Sequence, residues 1–153
     1  MHTNICSALI SSAPDVLILL IIDNDLLPSS SSDLISTRIL SAVHSFPNYA
    51  PTISSTYICQ PLPRHPGLYY WNGYNELALS TATTILQEVI SLGPHIRLLR
   101  IRDFPFPSER IQSFNNSKRF YTPDYTHLND VGNEKLYKGL MHAVISATSI
   151  VRL

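Results

Sequence analysis

The chain has 153 residues, of which 44% are hydrophobic and 14% are charged, and its 11 Lys and Arg residues balance its 11 Asp and Glu residues. This is the length of one ordinary domain with a sizeable core, so we predict a single domain over 1–153. The zero net charge provides no global field for nucleic acid or for an anionic membrane surface, and we expect neither as a partner.

The amino-terminal part predicts an opening helix over 1–13 and then a buried strand. The run "VLILLII" at 16–22 is apolar at every position, which favours a strand within 15–22 that is covered on both faces, as in parallel sheets. The run is too short to span a membrane, and no basic start of a signal peptide precedes it. The default expectation is a soluble intracellular protein.

A helix and a second strand follow. The polar cluster at 28–33 ends in an N-cap, either Ser32 or Asp33, and Pro47 ends the helix. The apolar face predicted for this helix consists of Leu34, Ile35, Ile39, Leu40 and Val43. The second strand is expected within 52–59.

The carboxyl-terminal part predicts two longer helices around a third strand. The clearest helix covers 74–92, where apolar residues recur every three or four positions before a Gly-Pro stop. The third strand is expected over 95–101, and its basic run "RLLRIR" fits a strand with alternating exposure better than a nucleic-acid patch. An aromatic, proline-rich loop over 104–123 leads to the last helix, over 132–147.

The alternation of helices and strands predicts an α/β fold. We expect a three-layer αβα arrangement around a parallel sheet with right-handed crossovers. Three strands are few, because sheets usually have about five. The pattern therefore predicts a sheet without its first strands, and an unpaired edge through which copies of the chain would self-associate.

Two polar clusters are candidates for chemistry. In "DND" at 23–25, Asn24 would donate its side-chain amide to an oxyanion, or the cluster is a turn or a helix cap. In "DYTHLND" at 124–130, Asp124 would accept a hydrogen bond from the Nδ1–H of His127 and make His127 a general base, or both residues belong to a surface turn. The residues alone leave both alternatives open at each cluster.

The same clusters carry a resemblance to a known family. The segment "PDVLILLIIDNDL" at 14–26 resembles the third sequence block of SGNH hydrolases, also called GDSL-type esterases and lipases, where a strand ends in Gly-x-Asn-Asp. The segment "DYTHLNDVGNEKLYKGL" at 124–140 resembles their fifth block, Asp-x-x-His-Leu-Asn followed by a helix. The segment "ICQPLPRHP" at 58–66 is similar to SGNH-like domains of animal genomes, some of them carried by non-LTR retrotransposons.

The resemblance implies an SGNH-hydrolase-like, flavodoxin-like fold and hydrolysis of small carboxylic esters. It makes His127 the base, Asp124 the acid and Asn24 an oxyanion donor. The family's nucleophilic serine belongs to a Gly-Asp-Ser motif that this sequence lacks, as it also lacks the second-block glycine, and Ile22 stands in place of the third-block glycine. We therefore predict that the chain as given does not turn over esters.

Three hypotheses about function stay open at this point. They are an active esterase whose missing part lies upstream, a non-catalytic relative that binds an acyl or glycan ligand, and a gene or transposon fragment that does neither. The remaining histidines show no metal-ligand spacing and the five glycines form no phosphate loop, so no cofactor is expected. Cys6 and Cys59 are expected to be reduced, packed thiols.

Overall fold

The structure, a computed structural model, describes residues 2–20, 26–64, 73–92, 95–124 and 126–149. The helices and strands follow the predicted order with one additional helix, α4: α1 (His2–Ser12), β1 (Val16–Leu19), α2 (Ser32–Ser45), β2 (Ser55–Cys59), α3 (Tyr74–Leu92), β3 (Ile96–Leu99), α4 (Ile111–Ser117) and α5 (Asp130–Ser149). Short 3-10 helices follow α2 at Phe46–Asn48 and α4 at Lys118–Phe120.

The three strands form a parallel sheet in the order β1-β2-β3. Leu17 lies opposite Thr56, and Thr56 lies opposite Ile96 in the next strand. Parallel neighbours need a crossover that runs over one face of the sheet, and α2 and α3 supply the two crossovers. The predicted α/β class with a parallel sheet is confirmed.

Helices cover both faces of the sheet. On one face, Leu19 and Ile58 pack with the buried stripes of α2 and α3. On the other face, the strands contribute Tyr57, Cys59 and Leu99. These residues pack with Leu140 of α5 and with three aromatic residues that precede α5, namely Phe104, Phe120 and Tyr121. Successive residues of β2 thus enter opposite layers, as the two-residue period of a strand requires. The result is the predicted three-layer arrangement, and α5 is the helix that holds the second layer against the sheet.

β1 is not covered on both faces, and this part of the prediction is wrong. Val16 and Ile18 are 38% and 37% exposed. Ile18 is in register with Tyr57, which points toward the α5 layer. The buried residues of that layer come from β2, β3 and the segments after them, and among the described residues none comes from β1. The outer edge of β1 also pairs with no other described strand.

Three smaller expectations are also corrected. The N-cap of α2 is Ser31 rather than Ser32 or Asp33, because Ser31 is extended and its Oγ accepts a hydrogen bond from Leu34 N at 3.3 Å. Leu34 is 45% exposed, since the buried stripe of α2 begins one residue later at Ile35. The loop predicted over 104–123 contains α4, a polar helix in which only Phe114 and Ser117 are buried.

Candidate active site

The loop over 121–128 is closed like a small hairpin. Tyr121 and Leu128 form an antiparallel bridge, and Thr122 N donates to the carbonyl oxygen of His127 at 2.8 Å. Tyr121 lies in the α5 layer of the core, and Leu128 packs partly against it, so both ends of the loop are fixed to the body of the domain. This fixed loop carries Asp124 and His127.

Asp124 is held by four hydrogen bonds. Its Oδ1 accepts from Thr122 Oγ1 at 2.6 Å, from Thr126 N at 2.8 Å and from His127 N at 3.0 Å. Its Oδ2 lies 2.6 Å from His127 Nδ1. The Thr122 hydroxyl, followed by the His127 ring and the two backbone N–H groups, holds the pKa of this carboxyl well below its usual range. The carboxylate therefore stays ionised and keeps its orientation.

The contact with Asp124 sets the tautomer of His127. When Nδ1–H donates to the carboxylate, the other ring nitrogen, Nε2, is left as the acceptor of a neutral imidazole. The His127 side chain is 77% exposed, so Nε2 is open to a ligand. A carboxylate that orients the ring and an exposed Nε2 leave this imidazole able to accept a proton from a neighbouring group.

The pair lies at the carboxyl edge of the sheet. His127, Thr126 and Leu128 line a cleft of about 240 Å³ together with Leu20, which follows β1, and with Gln60, which follows β2. The other residues along this cleft are Cys59, Pro61, Leu62, Asn133 and Leu136. Ligands of open parallel sheets bind at this edge, so the topology and the side chains indicate the same place.

Asn129 and Gly132 tie the loop to the start of α5. The Asn129 side chain donates to the carbonyl oxygens of Arg119 and Tyr121 at 2.8 and 3.0 Å, and its Oδ1 accepts from Gly132 N at 2.9 Å. Gly132 is needed because its backbone passes close to Phe120, whose carbonyl oxygen would lie 2.0 Å from an added Cβ. The Leu-Asn and Gly of this segment thus set the angle at which α5 leaves the loop.

No serine lines the cleft among the described residues. Its other potential nucleophiles are the thiol of Cys59 and the hydroxyl of Thr126. Cys59 is buried, and burial raises its pKa to about 12, so it is a neutral thiol at physiological pH and a poor nucleophile. The Thr126 hydroxyl already donates to the carbonyl oxygen of Asp124 at 3.1 Å. Neither group replaces the serine that the sequence lacks.

The structure brings Asp124 and His127 together as the spacing predicted, whereas Asn24 and Ile22 lie in 21–25, outside the described residues. Sequence reasoning missed Thr122 and Thr126, although both lie two residues from Asp124. Hydroxyl and N–H groups at this spacing typically close Asx and Ser/Thr turns, which is the signal that could have identified them.

The structure indicates neither a metal site nor a membrane span within the part of the chain that it describes. No group of three or more His, Cys, Asp and Glu side chains there could hold a metal ion. None of the helices formed by those residues combines the length and the apolar character needed to cross a membrane.

Comparison with known proteins relates the chain to a solved structure. No protein-family model matches the chain, and no curated protein matches it. A solved structure from Streptococcus pneumonia, provisionally named a platelet activating factor, matches with a TM-score of 0.68 at 19% sequence identity. The match covers 90% of this chain and 66% of that one. At this identity the likeness concerns the fold, and it supports the predicted SGNH-like, flavodoxin-like α/β architecture.

Proposed function

We propose that Asp124 and His127 are the acid and the base of an SGNH-type site for carboxylic-ester chemistry. One observation carries the proposal. Asp124 Oδ2 lies 2.6 Å from His127 Nδ1, in a loop that is closed by backbone hydrogen bonds at the carboxyl edge of a parallel sheet. A surface turn needs no such orientation of the imidazole, whereas a general base does. The similarity of the fold to the solved structure that is provisionally named a platelet activating factor is compatible with this proposal.

In this site His127 Nε2 would take the proton of a nucleophile as the nucleophile attacks the acyl carbon. Asp124 would hold the ring by its Nδ1–H and stabilise the imidazolium that forms. Asn24 would donate its amide to the oxyanion. These roles follow the resemblance to SGNH hydrolases, and the substrate class that we propose is a small-molecule carboxylic ester.

We further propose that residues 1–153 alone do not turn over esters. The Gly-Asp-Ser motif is absent from the sequence, and no described residue of the cleft replaces its serine. Deletion of the nucleophile from a serine hydrolase costs about 10⁶ in turnover. Hydrolysis of nitrophenyl acetate by the wild type should therefore equal that of His127→Ala, and a fluorophosphonate probe should not label the chain.

The base itself can be tested without a nucleophile. Diethyl pyrocarbonate acylates neutral imidazole, as the ring nitrogen attacks the carbonyl and ethyl carbonate leaves. His127 should be modified faster than His142, an exposed histidine on α5 for which the structure gives no carboxylate partner among the described residues. Peptide mass spectrometry would measure both rates in the wild type and in Asp124→Ala.

The expected result is a selective slowing of His127 in Asp124→Ala, with His142 unchanged as an internal control. If His127 and His142 react at the same rate and Asp124→Ala changes neither, the carboxylate does not activate the imidazole. The proposal of an acid–base pair would then be wrong. Robust His127-dependent ester turnover would instead leave the pair intact and refute only the claim of inactivity.

A second candidate is a non-catalytic acyl-binding domain, and the lining of the cleft favours it. Leu20, Pro61, Leu62, Leu128 and Leu136 give the cleft mostly apolar walls, and its volume of about 240 Å³ suits a short acyl chain. Titration with butyrate and hexanoate should shift the NMR signals of Leu62 and Leu128. Shifts confined to residues outside the cleft would contradict this candidate.

A further inference from the structure

A group of arginines lies beyond the carboxyl end of β3. Arg102, Arg110 and Arg119 line one cleft of about 240 Å³, and Ser113 and Asn116 of α4 supply neutral hydrogen-bonding groups along it. Arg102 and Arg110 also line a neighbouring cleft of about 310 Å³. The two clefts therefore meet at this pair of arginines.

The positive charge of the first cleft is not neutralised by the described residues. Arg102, Arg110 and Arg119 make no ion pair with any described carboxylate. Asp103 is the one carboxylate that lines this cleft within the described part of the chain. Three guanidinium groups against one carboxylate leave a local charge of +2. Because the whole chain has a formal net charge of zero, this local excess reflects a segregation of charge.

In the second cleft, by contrast, one arginine is paired with a carboxylate. Its Arg100 forms an ion pair with Glu109, and Arg100 Nε also donates to Gln60 Oε1 at 3.3 Å. Glu109 Oε2 accepts from Phe106 N at 3.1 Å. Arg100 is thus occupied by the protein itself, whereas Arg102 and Arg110 present their guanidinium groups to solvent on the same surface.

We propose that Arg102, Arg110 and Arg119 form a binding site for the phosphoryl group of a small anionic ligand. Guanidinium groups bind phosphate oxygens through pairs of parallel hydrogen bonds, and several of them around one cleft suit a dianion better than a single negative charge. The hydroxyl of Ser113 and the amide of Asn116 would supply neutral hydrogen bonds to the remaining oxygens. The site is separate from Asp124 and His127 and does not depend on the function proposed for them.

The second cleft, which shares Arg102 and Arg110 with the proposed site, adjoins the cleft of His127. Gln60 lines both the cleft that contains Arg102 and Arg110 and the cleft that contains His127. Gln60 is itself buried, and its Nε2 donates to the carbonyl oxygen of Phe104 at 3.0 Å, so it forms a fixed wall between the two. The second cleft therefore lies between the proposed site, with which it shares Arg102 and Arg110, and the cleft of His127, with which it shares Gln60.

The test is an NMR titration of the full chain with phenyl phosphate, with inorganic phosphate as a second probe. We expect saturable shifts of the side-chain signals of Arg102, Arg110 and Arg119, which line the proposed site, here called the arginine cleft. The expected Kd is roughly 1 mM or tighter. Arg102→Gln and Arg110→Gln should each weaken binding by about tenfold, the effect of losing one charge-assisted contact. Asp103→Asn should tighten binding, because it removes the one carboxylate of the cleft.

Arg38→Gln is the matched control, since Arg38 is an exposed arginine of α2 that lines neither cleft. If Arg38→Gln weakens phosphate binding as much as Arg102→Gln does, the ligand is attracted by the positive charge of the surface in general, and the proposed site is refuted. The absence of saturable shifts in the arginine cleft would also refute it. So would tight binding of a single-stranded oligonucleotide without any binding of phenyl phosphate, because the surface would then recognise a polyanion rather than a small ligand.

Discussion

Gly132 provides a sharp test of how the site is attached to the fold. In Gly132→Ala the new Cβ would lie 2.0 Å from the carbonyl oxygen of Phe120, 3.0 Å from its carbonyl carbon and 3.1 Å from Leu128 Cβ. An ordinary contact between nonbonded carbon atoms is about 3.5–4.0 Å, so α5 would have to move by roughly 1 Å. The Phe120 carbonyl cannot yield easily, because Asn129 N donates to it at 2.9 Å.

The expected cost is that of overpacking, about 1–3 kcal/mol in the free energy of unfolding. For a domain of this size, each kcal/mol shifts the melting temperature by about 2–4 °C, which predicts a fall of about 2–12 °C. Urea denaturation and thermal melting would measure both quantities. The His127 NMR signals should shift as well, since the same carbonyl and Asn129 fix the loop that carries His127.

Gly139→Ala is the matched control on the same helix. Its new Cβ would lie 2.7 Å from Ile101 Cγ2, so only a side-chain methyl has to move. Alanine in the helix interior gains about 1 kcal/mol over glycine, which offsets much of that cost. We expect Gly139→Ala to stay within about 1 kcal/mol of the wild type. A Gly132→Ala variant as stable as the Gly139→Ala variant would refute the close packing of α5 on Phe120.

Three further predictions follow from other parts of the structure. Cys59 is buried with its pKa raised to about 12, so iodoacetamide should modify it only after unfolding, and rapid modification of the folded chain would contradict its burial. Hydrogen bonds lower the pKa of Asp124, so its stabilising effect is complete above the usual carboxyl pKa of about 4 and is lost as the pH falls through the lower, folded value. The difference in unfolding free energy between wild type and Asp124→Asn should therefore shrink as the pH falls below about 4, and a difference that stays constant in strong acid would contradict the hydrogen-bonded loop. We also propose that the outer edge of β1, which pairs with no described strand, causes self-association. Ile18→Lys should then reduce the concentration-dependent sedimentation of the chain, and a wild type that is monodisperse at all concentrations would exclude this role of the edge.

The parts of the fold that repeat a local pattern could be predicted from the sequence. The helix expected over 74–92 is α3, Tyr74–Leu92, because its apolar period and its Gly-Pro stop are both local signals. The second face of β1 could not be predicted in the same way. An apolar run shows that a strand can be buried, but whether a helix reaches each face depends on tertiary packing, and α5 leaves Ile18 partly exposed.

In the candidate site, too, the features set by local sequence were predictable and the features set by tertiary packing were not. The contact between Asp124 and His127 was predictable because the two residues lie only three positions apart in a turn-rich segment, and the roles proposed for them come from the resemblance to SGNH hydrolases. The arginine cleft was not predictable. Arg110 and Arg119 belong to the segment expected to be a loop, Arg102 precedes it, and the three share a cleft because that segment contains α4.

The central claim is that Asp124 orients His127 as a base, and the tautomer of the His127 ring tests it most directly. Long-range ¹H–¹⁵N NMR at a pH where the ring is neutral distinguishes a proton on Nδ1 from a proton on Nε2. We predict that the wild type carries the proton on Nδ1, donated to Asp124 Oδ2 at 2.6 Å, and that Asp124→Ala shifts the population toward Nε2–H. A wild-type ring protonated mainly on Nε2, or a tautomer population unchanged in Asp124→Ala, would contradict the claim.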